Sequence, residues 1–168
     1  MASRKKYGLF TEIQLTTLYY KSHGYSLREI AEIHGSSHQN ISIAYKRALK
    51  NREIAEKTIF YYNLITSCIQ LIIPAGTKLV DIPKIILDKC DEKNIKLRAD
   101  VTLIFKTIRF KHRECLEGNM LKKPLLVLVN SNGELNIYSY EKVKDDYNKL
   151  LEFTRILEEK SMRAAGGT

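Results

Sequence analysis

Two helix-start signals follow one another near the N-terminus and limit what this part of the chain can fold into. Thr11 and Gln14 have the spacing of a capping box, in which two side chains satisfy backbone N–H groups at the start of a helix. The first helix is predicted to end at Gly24, since glycine readily adopts the left-handed conformation that closes a helix. Ser26 and Glu29 repeat the signal immediately afterwards. The N-terminal third is therefore predicted to be helical.

A third helix start follows the second helix after a very short connection. The second helix is expected to end near Gly35, and the next one to run from Ser37, without a breaker, to about Thr58. The small side chain of Ala31 allows two helices to cross closely, and Gly35 suits a turn with positive φ. Ile41 is predicted to place a branched side chain in the core that the two helices share. A short helix, a glycine-containing turn and a second helix describe a helix-turn-helix. We prefer this interpretation to three ordinary packed helices.

Charge is concentrated in the same region. The chain of 168 residues has a formal net charge of +9, with 10 Lys or Arg against 5 Asp or Glu up to residue 57 and 18 against 14 after it. Such an excess suits a polyanionic partner. Neither a secretory signal nor a membrane-spanning stretch is evident, so a cytoplasmic protein is expected. Nineteen Ile and three Gln, with many Lys and Glu, suit a thermophilic host.

In a helix-turn-helix, the second helix enters the major groove of duplex DNA and presents its N-terminal residues to base edges. The side chains predicted to read bases are Ser37, His38, Gln39, Ser42 and Lys46. Those predicted to bind DNA phosphates are Arg28, Asn40, Arg47, Lys50 and Arg52. Phosphate contacts position the protein, whereas base contacts specify the sequence.

These residues resemble the DNA-binding region of archaeal Tfx-type transcriptional regulators, over residues 10–59. The matching pieces are Thr11-x-x-Gln14, Gly24-Tyr25-Ser26, Glu29-Ile30-Ala31, Gly35, Asn40-Ile41-Ser42, Lys46-Arg47-Ala48 and Asn51. The region is similar, more loosely, to region 4 of bacterial sigma factors and to LuxR-type output domains. The resemblance implies sequence-specific binding of duplex DNA in an archaeal cell. His34, and His38 with Gln39, depart from the family pattern, so no target sequence is carried over.

The remaining two thirds read as a small α+β domain followed by a last helix. The stretch from Pro74 to Pro83 also resembles the second domain of the Tfx group. Asn132-Gly133 is a strong hairpin signal. The predicted elements are a buried strand 67–73, helices 82–93 and 100–116, strands 125–129 and 134–140, and a helix 141–162.

The fold class is therefore predicted to be α+β, with three parts: an all-α helix-turn-helix domain (1–60), an α+β regulatory or dimerisation domain with a C-terminal helix (61–162), and a disordered tail (163–168). The second domain is expected to sense a small-molecule effector, to form a homodimer or to contact the transcription machinery. The last helix carries Val143, Tyr147, Leu150, Thr154 and Leu157 at alternating spacings of four and three. Core packing and dimerisation both explain that spacing.

Enzymatic chemistry is not expected, nor is any cofactor or metal. Gly35 separates His34 from His38, and Cys68, Cys90 and Cys115 contain no CxxC pair. Lysines surround the acidic side chains of 88–92, and His112 with Cys115 lacks a third catalytic partner. The favoured function is a sequence-specific transcriptional regulator. The alternatives are a sequence-tolerant chromatin or RNA-binding protein, and an enzyme that a helix-turn-helix targets to DNA.

Overall fold

The computed structural model describes residues 6–165, and the fold is α+β as predicted. The chain divides into two compact units, Met1–Ile59 and Phe60–Thr168. No helix in the described residues is long and apolar enough to span a bilayer. The elements of the first unit are β1 (Lys6–Tyr7), β2 (Phe10–Thr11), α1 (Glu12–Ser22), α2 (Leu27–Ile33) and the first part of α3 (His38–Thr66).

Both predicted helix starts are present. At α2, the Glu29 N–H donates to Ser26 Oγ at 3.2 Å, and the Ser26 N–H donates to Glu29 Oε2 at 2.7 Å. The Ser26 N–H and, to a smaller extent, the Ser26 side chain hold the pKa of Glu29 below its ordinary value, because hydrogen bonds to the carboxylate favour its ionised form. At α1, Gln14 Oε1 accepts a 3.0 Å hydrogen bond from the Thr11 N–H. Each short helix thus begins where its capping residues predict.

The first unit has a small core. Ile30, Ala31 and Ile41 are buried together, and Tyr20 and Leu27 pack against them. The buried side chains of α1 are polar, namely Gln14 and Thr17, whereas Leu15 and Tyr19 are exposed. Leu15 and Tyr19, although apolar and at helical spacing, therefore do not mark the buried face of α1.

The second unit is built on a three-stranded antiparallel sheet with the order β3–β6–β7. Helices α4 and α5 are followed by a single turn of 3-10 helix, Arg113–Cys115, and by the short hairpin β4–β5. The bounds are β3 Ser67–Ile73, α4 Ile82–Glu92, α5 Val101–Lys111, β4 Leu116–Glu117, β5 Met120–Leu121, β6 Leu125–Asn130, β7 Leu135–Ser139 and α6 Tyr140–Ala165.

The central strand β6 contributes to two separate cores, because successive side chains of a strand point to opposite faces. Leu125, Val127 and Val129 belong to a cluster with buried side chains of α4 and α5. Leu126 and Leu128 belong to a second cluster, which contains Phe60 and Leu64 of α3 and Tyr147 of α6. All five strand residues are buried. By contrast, β3 lies at the edge of the sheet and alternates exposed residues with buried or half-buried ones, so the prediction of a buried strand holds for only one of its two faces.

Several predicted ends need correction. Helix α3 does not stop at Thr58 but continues to Thr66, since the chain has neither Gly nor Pro between residues 37 and 66. Helix α5 ends at Lys111 rather than at Leu116, and the missed hairpin β4–β5 follows it. Helix α6 extends to Ala165, and residues 166–168 of the predicted tail lie outside the described part. Cys68 is exposed, unlike Cys90 and Cys115.

The predicted hairpin is present, with a turn that starts at Asn130. The Gly133 N–H donates to the Asn130 carbonyl at 3.0 Å, and Asn130 Oδ1 accepts from the N–H groups of Asn132 and Glu134, each at 3.0 Å. Gly133 has a φ of 76°, and a Cβ placed there would lie 1.9 Å from the carbonyl oxygen of Lys96. Glycine is thus required at this position by both conformation and space.

Candidate nucleic-acid interface

Helix α3 begins with a capped first turn. Ser37 precedes the helix, and its Oγ accepts a 3.2 Å hydrogen bond from the Asn40 N–H, while its carbonyl accepts from the Ile41 N–H. An N-cap of this kind stabilises a helix by about 1 kcal/mol. Ser37 is exposed, and its hydroxyl hydrogen is available to donate. Ser37 therefore fixes the start of the helix that carries the other predicted base-reading residues.

The predicted base-reading side chains lie on the outward side of α3. His38, Gln39 and Lys46 are exposed, and Ser42 is half-buried. At 3.6 residues per turn, Gln39, Ser42 and Lys46 follow one another along a single stripe. Ile41 and Ala44 are buried on the opposite side. The fold thus brings these polar side chains onto one solvent-facing stripe over the first turns of α3.

The predicted phosphate-binding residues do not all share one face. Asn40 and Arg47 line a common cleft of about 750 Å³, between the start of α1 and the first turns of α3. Lys50 is exposed one turn after Arg47, and Arg28 is exposed on α2. The carboxylate of Glu12 also belongs to the lining, and it reduces the positive potential at that end.

Arg52 differs from the other candidates. Its Nε lies 2.8 Å from Glu56 Oε1, in an exposed i, i+4 salt bridge. At 3.6 residues per turn it is rotated by about 140° around α3 from Arg47. The Glu56 carboxylate partly offsets the positive charge that Arg52 would present to a phosphate, although the Nη groups of Arg52 can still donate. Arg52 therefore does not join the stripe formed by the other basic side chains of α3.

A pair of amide side chains, the buried Gln14 and the half-buried Asn51, links α3 to the start of the chain, and the sequence prediction missed it. The Gln14 side chain is only 7% exposed, and its Oε1 accepts from Asn51 Nδ2 at 3.3 Å as well as from the Thr11 N–H. Asn51 Nδ2 also donates to the Leu9 carbonyl at 2.7 Å. Buried amides are expensive to leave without partners. The pair therefore fixes the position of α1 and of the β1–β2 hairpin against α3.

The histidines of this unit engage in local contacts. His23 Nδ1 lies 2.8 Å from the Tyr19 carbonyl, and the His34 ring packs edge-on to Tyr20. Among residues 6–165, no group of three or more His, Cys, Asp or Glu side chains has the arrangement of a metal site. In the second unit Cys115 is fully buried, and Glu92 pairs with Lys89 at 2.6 Å.

Comparisons with known proteins agree on a single family. The family described as "DNA-binding protein, TFX, C-term" matches residues 55–137. A Methanococcus vannielii protein named "Putative transcriptional regulatory protein" is 31% identical over 134 residues, which are 80% of this chain and 94% of that relative. The "DNA-binding protein Tfx" of Methanothermobacter marburgensis is 27% identical over 126 residues, or 74% of this chain and 91% of the relative.

Proposed function

Because the chain belongs to the Tfx-type family of archaeal DNA-binding transcriptional regulators, we propose that it recognises a specific duplex sequence by placing the start of α3 in the major groove. In this proposal α2, the turn at Gly35 and α3 form a helix-turn-helix. The observation that supports it most directly is the stripe of exposed polar side chains on α3, opposite the buried Ile41 and Ala44.

Base reading is assigned to five side chains at the start of α3. A glutamine amide can pair in a bidentate manner with adenine, so Gln39 is the most informative of them. A serine hydroxyl bonds bases or phosphates, and a lysine reaches guanine. The base-reading set that we propose is Ser37, His38, Gln39, Ser42 and Lys46.

Phosphate binding is assigned to a second set, which holds the protein in register without specifying sequence. Arg47 and Asn40 line the cleft beside the start of α1, and Lys50 extends the positive face along α3. Arg28 supplies a cation from α2. Arg52 completes the set, and its Nη groups would bind phosphate while its Nε stays paired with Glu56.

The test of this proposal is competition at fixed salt between genomic promoter fragments and random duplex. A sequence-specific regulator retains its promoter fragment against a large excess of random duplex, because specific binding exceeds non-specific binding by about 10³-fold or more. Equal competition by random duplex would contradict the proposal and support a sequence-tolerant chromatin protein. Stronger competition by single-stranded or duplex RNA would support an RNA-binding protein. Footprinting on the chain's own promoter region then locates the site.

We propose that the second unit has a regulatory rather than a catalytic role. We also propose that the protein binds its DNA in the cytoplasm. Its α6 begins in the core, where Tyr147 is buried and Val143 and Leu150 pack beside it. Later in the same helix Phe153, Ile156 and Leu157 are exposed at i, i+3 and i+4 spacing. A helix whose apolar stripe is left uncovered suits self-association. We therefore place a homodimer interface on the C-terminal half of α6.

An enzyme targeted to DNA remains the alternative for the second unit. Its candidate acids are Asp88, Asp91 and Glu92 of α4. A divalent cation that bound there would raise the thermal stability of the chain by mass action. A cation-dependent rise in the melting temperature, abolished by Asp88→Asn, would therefore contradict a purely regulatory second unit.

A further inference from the structure

The hairpin β4–β5 of the second unit separates two clefts that share one arginine. The first cleft has a volume of about 720 Å³, and its lining includes Phe105, Arg109 and Met120. The second has a volume of about 780 Å³, and its lining includes Arg109, Phe110 and Lys122. Both volumes are in the range of sites that hold small organic molecules.

The wall of the first cleft is held by backbone hydrogen bonds. The Leu79 N–H donates to the Asn119 carbonyl at 2.8 Å, and the Leu121 N–H donates to the Thr77 carbonyl at 2.9 Å. Lys78 and Met120 form an isolated antiparallel bridge between these bonds. The backbone of this wall is thus held in place by hydrogen bonds within the chain.

The first cleft combines an apolar surface with positive charge. Val80 is 67% exposed and Met120 is also exposed, although both are apolar, and Phe105 is half-buried beside them. Its polar lining residues are Lys78, Arg109 and Asn119, and no carboxylate is among the lining residues. Exposed apolar side chains grouped in a concave surface are typical of ligand sites.

Arg109 is held at the junction of the two clefts. Its Nη2 donates to Asn119 Oδ1 at 3.1 Å, which orients the guanidinium and leaves its other N–H groups available. Arg113 and Lys122 line the second cleft, again with no carboxylate in the lining. Among the neighbouring acids, Glu114 is bonded to Lys142 at 2.6 Å. Positive charge at this junction is therefore not neutralised by the lining residues.

We propose that these clefts bind a small organic anion that has an apolar ring or chain, with the apolar part against Val80, Phe105 and Met120 and the carboxylate on Arg109. The proposal rests on the regulatory role proposed for the second unit and names the class of its effector. A bidentate guanidinium–carboxylate pair provides the orientation. An arginine near the C-terminus of α5 also interacts favourably with the helix dipole when no ligand is bound. The experiment therefore has to separate a ligand-binding role of Arg109 from this structural role.

The experiment uses the full chain labelled with ¹⁵N and follows its amide signals during titration. The probes are phenylacetate and hexanoate, their neutral amides, and inorganic phosphate. We expect the two acids to shift the signals of Val80, Phe105 and Met120, with dissociation constants on the order of millimolar for molecules this small. The amides and inorganic phosphate should bind about tenfold more weakly, since each lacks either the charge or the apolar part.

Two variants and a matched control make the result specific. Arg109→Gln should weaken binding of both acids about tenfold, and Val80→Ser should weaken it severalfold. Arg98→Gln changes an exposed arginine outside both clefts and should leave binding unchanged. The melting temperature of each variant shows that it is folded. A purely structural Arg109 would change that temperature without changing the preference for acids over amides.

The proposal is wrong if the amides bind as well as the acids, if Arg98→Gln has the same effect as Arg109→Gln, or if neither acid shifts these signals. Its outcome is separable from that of DNA recognition, because the titration contains no DNA. If the chain binds the acids but does not prefer promoter duplex, the proposed anion site is supported and the proposed base reading is contradicted.

Discussion

Gln39 is exposed on the outward stripe of α3, where its amide can reach only one or two bases. We expect Gln39→Ala to relax the base preference at one position and to weaken the preferred duplex by about 1–3 kcal/mol. Binding to random duplex should change little. Fluorescence anisotropy with a panel of single-base site variants measures the effect. Gln70→Ala makes the same substitution in the second unit and should leave DNA affinity unchanged. Equal weakening of every duplex would mean that Gln39 contacts phosphate instead.

Arg47 lines the cleft at the start of α1, where a phosphate contact carries no sequence information. Arg47→Ala should weaken specific and random duplexes alike and reduce the slope of log affinity against log salt by about one. Titrations at several salt concentrations measure that slope. Arg98→Ala, in the second unit, is the control. An unchanged slope together with altered base preference would move Arg47 into the base-reading set.

His112 gives the second unit a pH dependence. Burial lowers its pKa below the ordinary value of 6.5, against the weaker opposite effects of Glu114 and of a hydrogen bond with the Ile137 backbone. Lys142 and Lys111 lower it further. The unfolded chain therefore binds a proton at His112 more readily than the folded chain does. The contribution of His112 to the free energy of unfolding is complete above pH 6.5 and is lost as the pH falls below that value.

The measurement is the free energy of unfolding in urea at pH values from about 5.5 to 7.5. His112→Asn should flatten the dependence, whereas His23→Asn, on an exposed side chain of the first unit, should preserve it. Identical slopes for the parent chain and His112→Asn would show that His112 does not cause the dependence.

At the scale of elements, the crossing of α2 with α3 depends on a small residue. Ala31 is buried with Ile30 and Ile41 in a core that has few other members. Ala31→Phe should destabilise the first unit by about 1–3 kcal/mol, because the added ring has no space. Thermal unfolding measures the change. Glu32→Phe adds the same ring on an exposed position of the same helix and should cost much less. An unchanged melting temperature for Ala31→Phe would remove this support for a helix-turn-helix.

Short-range signals in the sequence predicted the helix starts well. The capping residues of α1 and α2 act within three positions, so Thr11, Gln14, Ser26 and Glu29 carry that information locally. The β6–β7 hairpin was predicted for the same reason, from Asn132 and the glycine after it. Local hydrogen-bonding chemistry needs no knowledge of the rest of the fold.

The structural features that could not be predicted from the sequence depend on residues that are distant along the chain. Gln14 and Asn51 are 37 residues apart, and nothing near either one in the sequence marks it as half of a hydrogen-bonded pair. The β4–β5 hairpin has strands of two residues, too short to show an alternating pattern, and its neighbour Lys78 comes from far upstream. The exposure of the predicted site on α3 and the rotation of Arg52 away from it both follow from helical periodicity, whereas the pairing of Arg52 with Glu56 depends on side-chain conformations.

At the scale of the whole molecule, the proposed dimer determines how much DNA is contacted. A homodimer that reads two half-sites one helical turn of DNA apart needs its two recognition helices about 34–36 Å apart and a two-fold symmetric site. Phe153 is 52% exposed, and Leu157 is exposed beside it. We expect Leu157→Glu to shift the chain from dimer to monomer in light scattering across a range of concentrations. It should also weaken binding to a two-half-site duplex while preserving binding to one half-site.

The matched control is Lys149→Glu, which places the same carboxylate on an exposed polar position of α6. It should leave the dimer intact. A parent chain that is monomeric at every concentration, or a footprint that covers a single half-site, would contradict the proposed interface and leave the exposed stripe of α6 for another partner.

Strand β6 has a consequence for the chain before it folds. Its run of five leucine and valine residues becomes buried only when helices cover both faces of the sheet, and β3 must arrive from far upstream to pair with it. Until then, the segment is a short apolar stretch of high β-propensity, the kind that self-associates into aggregates. Lys122, Lys123 and Pro124 directly precede it. Charge and proline flanking an apolar strand oppose such self-association, so we expect these three residues to reduce aggregation of the chain before the sheet has formed.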